Sequence, residues 1–231
     1  MHWALACALS CSLGTAAAVS GGVRWDGLLA GIACTSLIAF HGGVMPLAFL
    51  AALFVLGVMA TRLGAARKRC TSSGPHELRG AQHVLANAGP AVLLLLWDNG
   101  PSGRWAAAAS LCGALADTLS SEIGMLAASP PRLLLLGPVV PTGTDGGMSW
   151  CGTAVAVAVA ALAALCVALL GGSTFAAFCL GAGAFATMLC DSVLGASIER
   201  CFSKALGNHA VNFLAASAGG CITLALMSAR A

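Results

Sequence analysis

Residues 105–124 read WAAAASLCGALADTLSSEIG, an apolar run that ends with two acidic residues, Asp117 and Glu122. The run has the length and apolarity of a membrane-crossing helix. The rest of the chain is similar in composition, because 59% of its 231 residues are hydrophobic and only 8% are charged. Soluble domains lie far from these values. The sequence therefore predicts an integral membrane protein.

Comparable runs along the chain predict an all-α, polytopic membrane helical bundle of seven or eight transmembrane spans with short loops. We predict one membrane domain over residues 1–231, in which 1–24 form an extra N-terminal span or a signal peptide. A retained span is favoured over a cleaved signal because no basic n-region precedes the first run. Tilting, kinking or partial embedding is an alternative for the second and fourth runs, which carry polar residues or proline. The runs are 3–20, 26–41, 44–61, 82–97, 104–123, 150–171, 174–196 and 208–228.

The basic residues predict the orientation of the bundle, because cations are disfavoured in short translocated loops. Nine of the eleven Lys and Arg residues fall in loops that share one side, which we place in the cytosol or its organellar equivalent. Only Arg104 and Arg230 fall on the other side. The net charge of +3 is too small, and the basic residues too scattered, for nucleic acid to be a partner.

Three acidic residues fall at cytosolic helix ends in this topology, namely Asp117, Glu122 and Asp191. Each carboxylate inside a membrane costs about 2.5–3.5 kcal/mol, so a shared function is the better explanation. Further polar residues at the same face are Asn87, Ser192, Asn208, His209 and Asn212.

Helical spacing suggests what the carboxylates bind. Asp117 lies four residues before Ser121, and Thr118 lies four before Glu122, so carboxylates and hydroxyls are neighbours on one turn. Such oxygens are ligands for Mg²⁺, which also keeps waters and binds substrate phosphates. The alternative is structural: the acids accept interhelical hydrogen bonds or pair with Arg132.

A glycine-rich segment, PTGTDGGMS at 141–149, stands directly before the helix predicted from residue 150. Glycine permits close backbone approach, and N–H groups at a helix N-terminus favour anions such as phosphate. An ordinary tight turn is the alternative.

A weak internal similarity, between GALADTLSSE at 113–122 and ATMLCDSVLGASIE at 186–199, predicts two parallel helices that each contribute a carboxylate to one metal site. Chance similarity between two apolar helices is the alternative.

The motifs ADTLSSEIG, PTGTDGGMS, CDSVLGASIE and NHAVNFLAAS, with TRLGAARKR upstream, resemble the transmembrane protein 19 family over residues 25–228. That family includes plant phytyl-phosphate kinase. The resemblance implies phosphorylation of an isoprenoid monophosphate to the diphosphate by a nucleoside triphosphate such as CTP. The sequence does not name the organelle, and an endomembrane and a plastid are both compatible with it. The residues that match the family motifs are Asp117, Ser121, Glu122, Thr142, Gly143, Thr144, Gly146, Gly147, Asp191, Ser192, Asn208 and Asn212.

These observations define one hypothesis and two alternatives. In the hypothesis, Asp117, Ser121, Glu122 and Asp191 hold Mg²⁺, and the 141–149 segment binds the nucleotide phosphates. A basic residue offsets the charge of the acceptor phosphate and asparagines orient it; the candidates are Arg79, Arg132, Lys204, Asn87, Asn208 and Asn212. The alternatives are a transport protein for an anionic lipid or solute and a non-catalytic protein that packs against another membrane protein.

Overall fold

The computed structural model describes Ser12 and residues 23–71, 80–197 and 204–230, without the side chains of 69–71 and 204–206. Apart from Ser12, the predicted run 3–20 lies outside the described residues. The helices in this part of the chain are α1 (Trp25–Gly42), α2 (Val44–Arg62), α3 (Ala65–Thr71), α4 (Ala81–Trp97), α5 (Pro101–Gly124), α6 (Trp150–Leu169), α7 (Thr174–Ser197) and α8 (Lys204–Ser228).

The helices form an all-α membrane bundle. Val44–Arg62, Trp150–Leu169, Thr174–Ser197 and Gly207–Ser228 are each long and apolar enough to cross a bilayer, and Ala81–Trp97 is a shorter apolar helix. Backbone polar groups must be satisfied internally within lipid, which is why apolar segments of this length become helices. Pro90 lies inside α4 without ending it. The chain is therefore a multi-pass integral membrane protein.

Helix α5 occupies the centre of the bundle. It packs against α2, α4, α6, α7 and α8. The side chains from Ala106 to Ala109 are fully buried, and so are Leu111 and Cys112. Because its neighbours surround it, α5 needs little lipid-facing apolar surface, which explains why this alanine-rich helix is less hydrophobic than those at the periphery.

Small residues bring α5 and α7 into close, parallel contact. A Cβ atom on Gly113 of α5 would overlap the side chain of Thr187 on α7, so no larger residue fits there. Four residues further along each helix, the side chains of Asp117 and Asp191 contact each other. Two contacts that advance together along both helices show that the helices run parallel. This confirms the parallel helices predicted from the internal similarity, whereas the shared metal site stays a prediction.

The segment between α5 and α6 folds back as a small hairpin, which the sequence analysis did not predict. Strand β1 (Arg132–Leu133) pairs antiparallel with β2 (Gly147–Met148), so that Arg132 is opposite Met148.

The short helix α3 was also not predicted. It carries Lys68, whose side chain is almost completely buried against the bundle.

Candidate functional site

A cavity of about 320 Å³ lies at the end of the bundle where α5 and α7 finish and where α6 and α8 begin. Its volume is at the lower end of the range of about 300–1,000 Å³ that is usual for small-molecule sites. The elements that contribute to its wall are α5, the loop at 131–147, the first turn of α6, the last two turns of α7 and Asn208 of α8.

Helix α5 contributes Asp117, Ser120, Ser121 and Gly124 to the cavity. These positions are separated by three or four residues, and therefore share one face of the helix. Gly124 lies directly beneath the loop, because a Cβ atom there would be 2.9 Å from the Ser149 hydroxyl. The same helix face thus supplies the acid, two hydroxyls and the space into which the loop packs.

Helix α7 contributes Met188, Asp191, Ser192 and Gly195 at the same helical spacing. Asp191 is anchored from α8. With its amide nitrogen oriented toward this carboxylate, Asn212 donates a hydrogen bond of 2.9 Å to Asp191 Oδ1. The structure therefore brings together Asp117, Ser121, Asp191 and Ser192 in one cavity, as the sequence predicted, with Asn212 in support.

The cavity is strongly negative. Of the described lining residues, the ionisable ones are Asp117, Asp145 and Asp191, and no Lys or Arg joins them. The Asp117 and Asp191 side chains are in contact, and the charge of Asp145 acts on Asp191 as well. Two ionised carboxylates in contact repel each other, so the pair requires a shared proton or a bound cation.

The glycine-rich segment forms the opposite wall through residues 142–147. Gly143 and Gly146 have φ angles of +86° and +73°, which glycine adopts without strain. The segment is also a tight turn, because Thr144 N–H donates to the Pro141 carbonyl and Gly147 N–H donates to that of Thr144. Those two N–H groups are used within the turn, as the tight-turn interpretation predicts. The segment also lines the cavity, as the phosphate-binding interpretation requires.

The residues present fit Mg²⁺ only if a substrate completes its coordination. Two aspartates in contact, with serine hydroxyls on the same wall, supply hard oxygen ligands. Within the described ranges, no group of three or more His, Cys, Asp or Glu residues is arranged to hold a metal ion. Mg²⁺ typically takes one or two carboxylates together with waters and phosphate oxygens, and this donor set matches that pattern.

Glu122 does not lie in the cavity, and the expectation that it joins the two aspartates is corrected. It is five residues beyond Asp117, which turns its side chain by about 140° around the helix. There Glu122 accepts hydrogen bonds of 2.7 Å from Lys68 Nζ and 2.7 Å from Thr61 Oγ1. The structural alternative for this residue was correct in kind, although Lys68 and not Arg132 is the partner.

Other predicted residues also lie elsewhere. Asn87 is buried in α4 and donates to the His83 carbonyl. Arg132 is exposed and its guanidinium donates to the Gly137 carbonyl, 3.2 Å away. Neither residue lines the cavity. The two further basic candidates, Arg79 and the Lys204 side chain, fall outside the described part of the chain.

Several cavity residues were not predicted. Asp145 stood inside the glycine-rich motif, and its charge was the available signal. Ser149 caps α6, since its hydroxyl accepts from Gly152 N–H at 3.0 Å. Gly152 lets α6 approach α5, because a Cβ atom on it would lie 2.6 Å from the Ser120 carbonyl oxygen. A serine directly before the first residue of an apolar run is a sequence signal for such a cap.

Two glycines of the loop offer a matched test of its packing. A Cβ atom on Gly146 would come within 2.6 Å of Ala196 Cβ on α7, whereas one on Gly143 would meet nothing within 4 Å. Both glycines have positive φ. We expect Gly143→Ala to cost about 1 kcal/mol and Gly146→Ala about 2–4 kcal/mol of stability. Thermal unfolding in detergent measures both, and equal losses would show that the loop does not pack on α7 as described.

The fold and the cavity together define a class, a multi-pass helical membrane protein with paired aspartates beside a glycine-rich loop. The chain belongs to the family of integral membrane proteins called DUF92, which matches residues 8–220. This match confirms the family resemblance of the sequence motifs and begins closer to the N-terminus than residue 25.

Two relatives extend the comparison. The chain is 35% identical over 190 residues to an uncharacterized membrane protein of Methanocaldococcus jannaschii, covering 80% of this chain and 78% of that one. It is 30% identical over 190 residues to the chloroplastic protein VTE6 of Arabidopsis thaliana, covering 75% of this chain and 56% of the plant protein. No solved structure matches the chain significantly.

Proposed function

We propose that this chain is a lipid kinase, in which the cavity transfers the terminal phosphate of a nucleoside triphosphate, such as CTP, to an isoprenoid monophosphate. The observation that supports this most is the contact between Asp117 and Asp191, from two parallel helices, opposite a glycine-rich loop. The resemblance of the sequence motifs to a family that includes plant phytyl-phosphate kinase gives the reaction and the substrate class.

The charge of the cavity explains why a metal belongs to the proposal. Three aspartates repel a phosphate, so a phosphate enters this cavity favourably only together with cations. Mg²⁺ held by Asp117 and Asp191 would neutralise charge on the transferred phosphoryl group. The role of the two carboxylates is then to fix the position of the nucleotide phosphates, which is most of what phosphoryl transfer asks of a protein.

The remaining cavity residues position the substrates in this proposal. The loop at 142–147 lies against the nucleotide phosphates, where its glycines allow close backbone approach. Asn208 and Ser192 orient the acceptor phosphate, and Asn212 keeps the Asp191 carboxylate in place. An oxygen of the isoprenyl phosphate attacks the γ-phosphorus, the bond between that phosphorus and the β-phosphate oxygen breaks, and the nucleoside diphosphate leaves.

The position of the cavity suits a lipid substrate. We propose that the seven long helices α1, α2, α4, α5, α6, α7 and α8 all cross the membrane, with the cavity at the cytosolic face or its organellar equivalent. Three basic residues lie in or near the α2–α3 connection, at the same end of the bundle as Glu122 of α5, namely Arg62, Arg67 and Lys68. Their position agrees with the bias of basic residues toward the cytosolic side. Only the phosphate end of the lipid then needs to leave the bilayer.

Beneath the cavity, the packing argues against a transport pathway. Thr187 and Thr223 are 2% and 0% exposed, and each donates to a backbone carbonyl. A Cβ atom on Gly113 or Gly219 would overlap Thr187, so α5, α7 and α8 leave no space between them at that level. A route for an anionic solute needs polar groups along its whole length.

The direct test is an assay of purified protein in liposomes, with labelled CTP or ATP, Mg²⁺ and a panel of isoprenyl monophosphates of increasing length. We expect a labelled isoprenyl diphosphate from the wild type and none from Asp117→Asn. Asp26→Asn is the control, because Asp26 lies outside the cavity and its substitution keeps an oxygen acceptor for Ala81 N–H. Absence of product with every acceptor and both nucleotides would reject the kinase.

A further inference from the structure

The hairpin between α5 and α6 presents an exposed apolar tip, residues 133–139. Leu136 is 84% exposed, Val139 is 54% exposed and Leu134 is 41% exposed. No charged residue occurs between Arg132 and Asp145. Apolar side chains gain about 25 cal/mol for each Å² removed from water, so such a tip favours an apolar environment.

The N–H groups of the tip meet one part of the requirement for entering hydrocarbon. Every N–H group from Leu133 to Gly137 donates to a carbonyl, respectively of Pro138, Gly146, Arg132, Leu134 and Leu133. The next residue, Pro138, has no N–H group. Irregular backbone is tolerated in a bilayer only where its polar groups are satisfied, since each unsatisfied group costs several kcal/mol.

The fold maintains this tip in a strained conformation. Leu134 and Leu135 have positive φ angles of 48° and 69°. Left-handed backbone costs a residue with a side chain about 1–2 kcal/mol, and it persists where surrounding hydrogen bonds determine it. The result is a tight turn in which Leu134 and Leu136 project outward, while Leu133 and Leu135 are half-buried and Leu135 packs against the core.

The position of the tip gives its depth. It connects α5 to α6, so it lies at the membrane surface on the side of the cavity. Trp150, the first residue of α6, is 62% exposed at the same level, as is usual for aromatic residues at the interface. Arg132 at the base of the tip is exposed, at a level where cations meet lipid phosphates.

We propose that the tip at 133–139 inserts into the lipid tails of the leaflet beside the cavity. Its occupant is the bilayer itself, because the tip exposes Leu134, Leu136 and Val139, its N–H groups from Leu133 to Gly137 are bonded within the loop, and none of its own residues is charged. The insertion goes beyond the proposed function and does not depend on it. One consequence rests on the proposed function: if the chain is the proposed kinase, the inserted tip marks the side from which the isoprenoid tail reaches the cavity. Residues 141–147 of the same loop continue directly into the cavity wall.

Photocrosslinking tests the insertion without depending on activity. A photoreactive amino acid replaces Leu136 in the full chain, reconstituted in phosphatidylcholine vesicles whose lipid tails carry an alkyne label. The control carries the same amino acid at Ser129, which is exposed in the same loop but outside the tip. We expect at least about tenfold more lipid adduct at position 136 than at 129, in keeping with the depth of hydrocarbon relative to the polar interface.

Equal labelling at the two positions would overturn the proposal, and so would an adduct with a co-purifying protein in place of lipid. Substitution at Val139 repeats the test if the first variant does not fold. A lipid adduct from a protein without kinase activity would support the insertion and reject the proposed function. Kinase activity without the lipid adduct would support the proposed function and reject the insertion.

Discussion

We expect the replacement of Asp191 with asparagine to abolish the proposed phosphoryl transfer, by at least about 10³-fold, and to leave the unfolding temperature unchanged or higher. The activity would fall because the variant would no longer hold the Mg²⁺ that would neutralise charge on the transferred phosphoryl group. The stability follows from the contact with Asp117, since asparagine can stand beside this carboxylate without the shared proton or bound cation that the aspartate pair requires. Asparagine still offers an oxygen that accepts the hydrogen bond from Asn212. Steady-state assay and thermal unfolding of the same preparation measure the two effects.

The combination of these two effects separates a catalytic aspartate from a structural one. If Asp191 only joined helices, its substitution would lower the unfolding temperature, and activity would fall in proportion. Ser110→Ala serves as the control for a conservative change inside the core, because the Ser110 hydroxyl is buried without a partner in the described structure. A stable Asp191→Asn variant with full activity would contradict the assignment.

Replacing Lys68 with methionine lowers stability by about 3–5 kcal/mol, because it leaves the Glu122 carboxylate without its cation in a mostly buried position. The Lys68 side chain is 1% exposed and the Glu122 side chain 15% exposed. Lys68 Nζ is 2.7 Å from Glu122 Oε2 and 2.7 Å from the Ala60 carbonyl oxygen, so it joins α2, α3 and α5. For a chain of this size we expect the unfolding temperature to fall by about 6–20 °C.

A second substitution tests whether the ion pair is the cause. The double variant Lys68→Met with Glu122→Gln should recover most of the loss, because no charge then remains unpaired. Arg24→Met is the matched control, since its ion pair with Asp26 is exposed and screened by water, so its loss should leave stability almost unchanged. If Lys68→Met and Arg24→Met had the same small effect, the buried pair would not stabilise the bundle.

Much of the fold follows from the sequence because a membrane leaves few choices for the backbone. The run predicted at 104–123 is the helix Pro101–Gly124, and the run at 174–196 is Thr174–Ser197. Lipid excludes unsatisfied backbone, so apolar length alone locates the helices. The short helix Ala65–Thr71 and the hairpin escaped prediction because tertiary contacts create them, such as the burial of Lys68 against Glu122.

The candidate site was predictable where helical periodicity governs it. Asp117 and Ser121 share a face, and the match with the segment around Asp191 anticipated two parallel helices. Glu122 was misplaced because five residues along a helix turn a side chain to another face, where Lys68 meets it. The part played by Asp145 depends on how the loop folds over α7, which spacing along the chain does not specify.

Manganese binding tests the central proposal most directly, because Mn²⁺ replaces Mg²⁺ at oxygen sites and is visible by electron paramagnetic resonance. Purified protein is titrated with Mn²⁺ in the presence of CTP, and coupling of the metal to phosphorus is recorded. We expect the wild type to hold Mn²⁺ and nucleotide together, and expect the Asp117→Asn, Asp191→Asn double variant to lose both while remaining folded. Unchanged manganese and nucleotide binding in that variant would contradict a phosphate site at the paired aspartates.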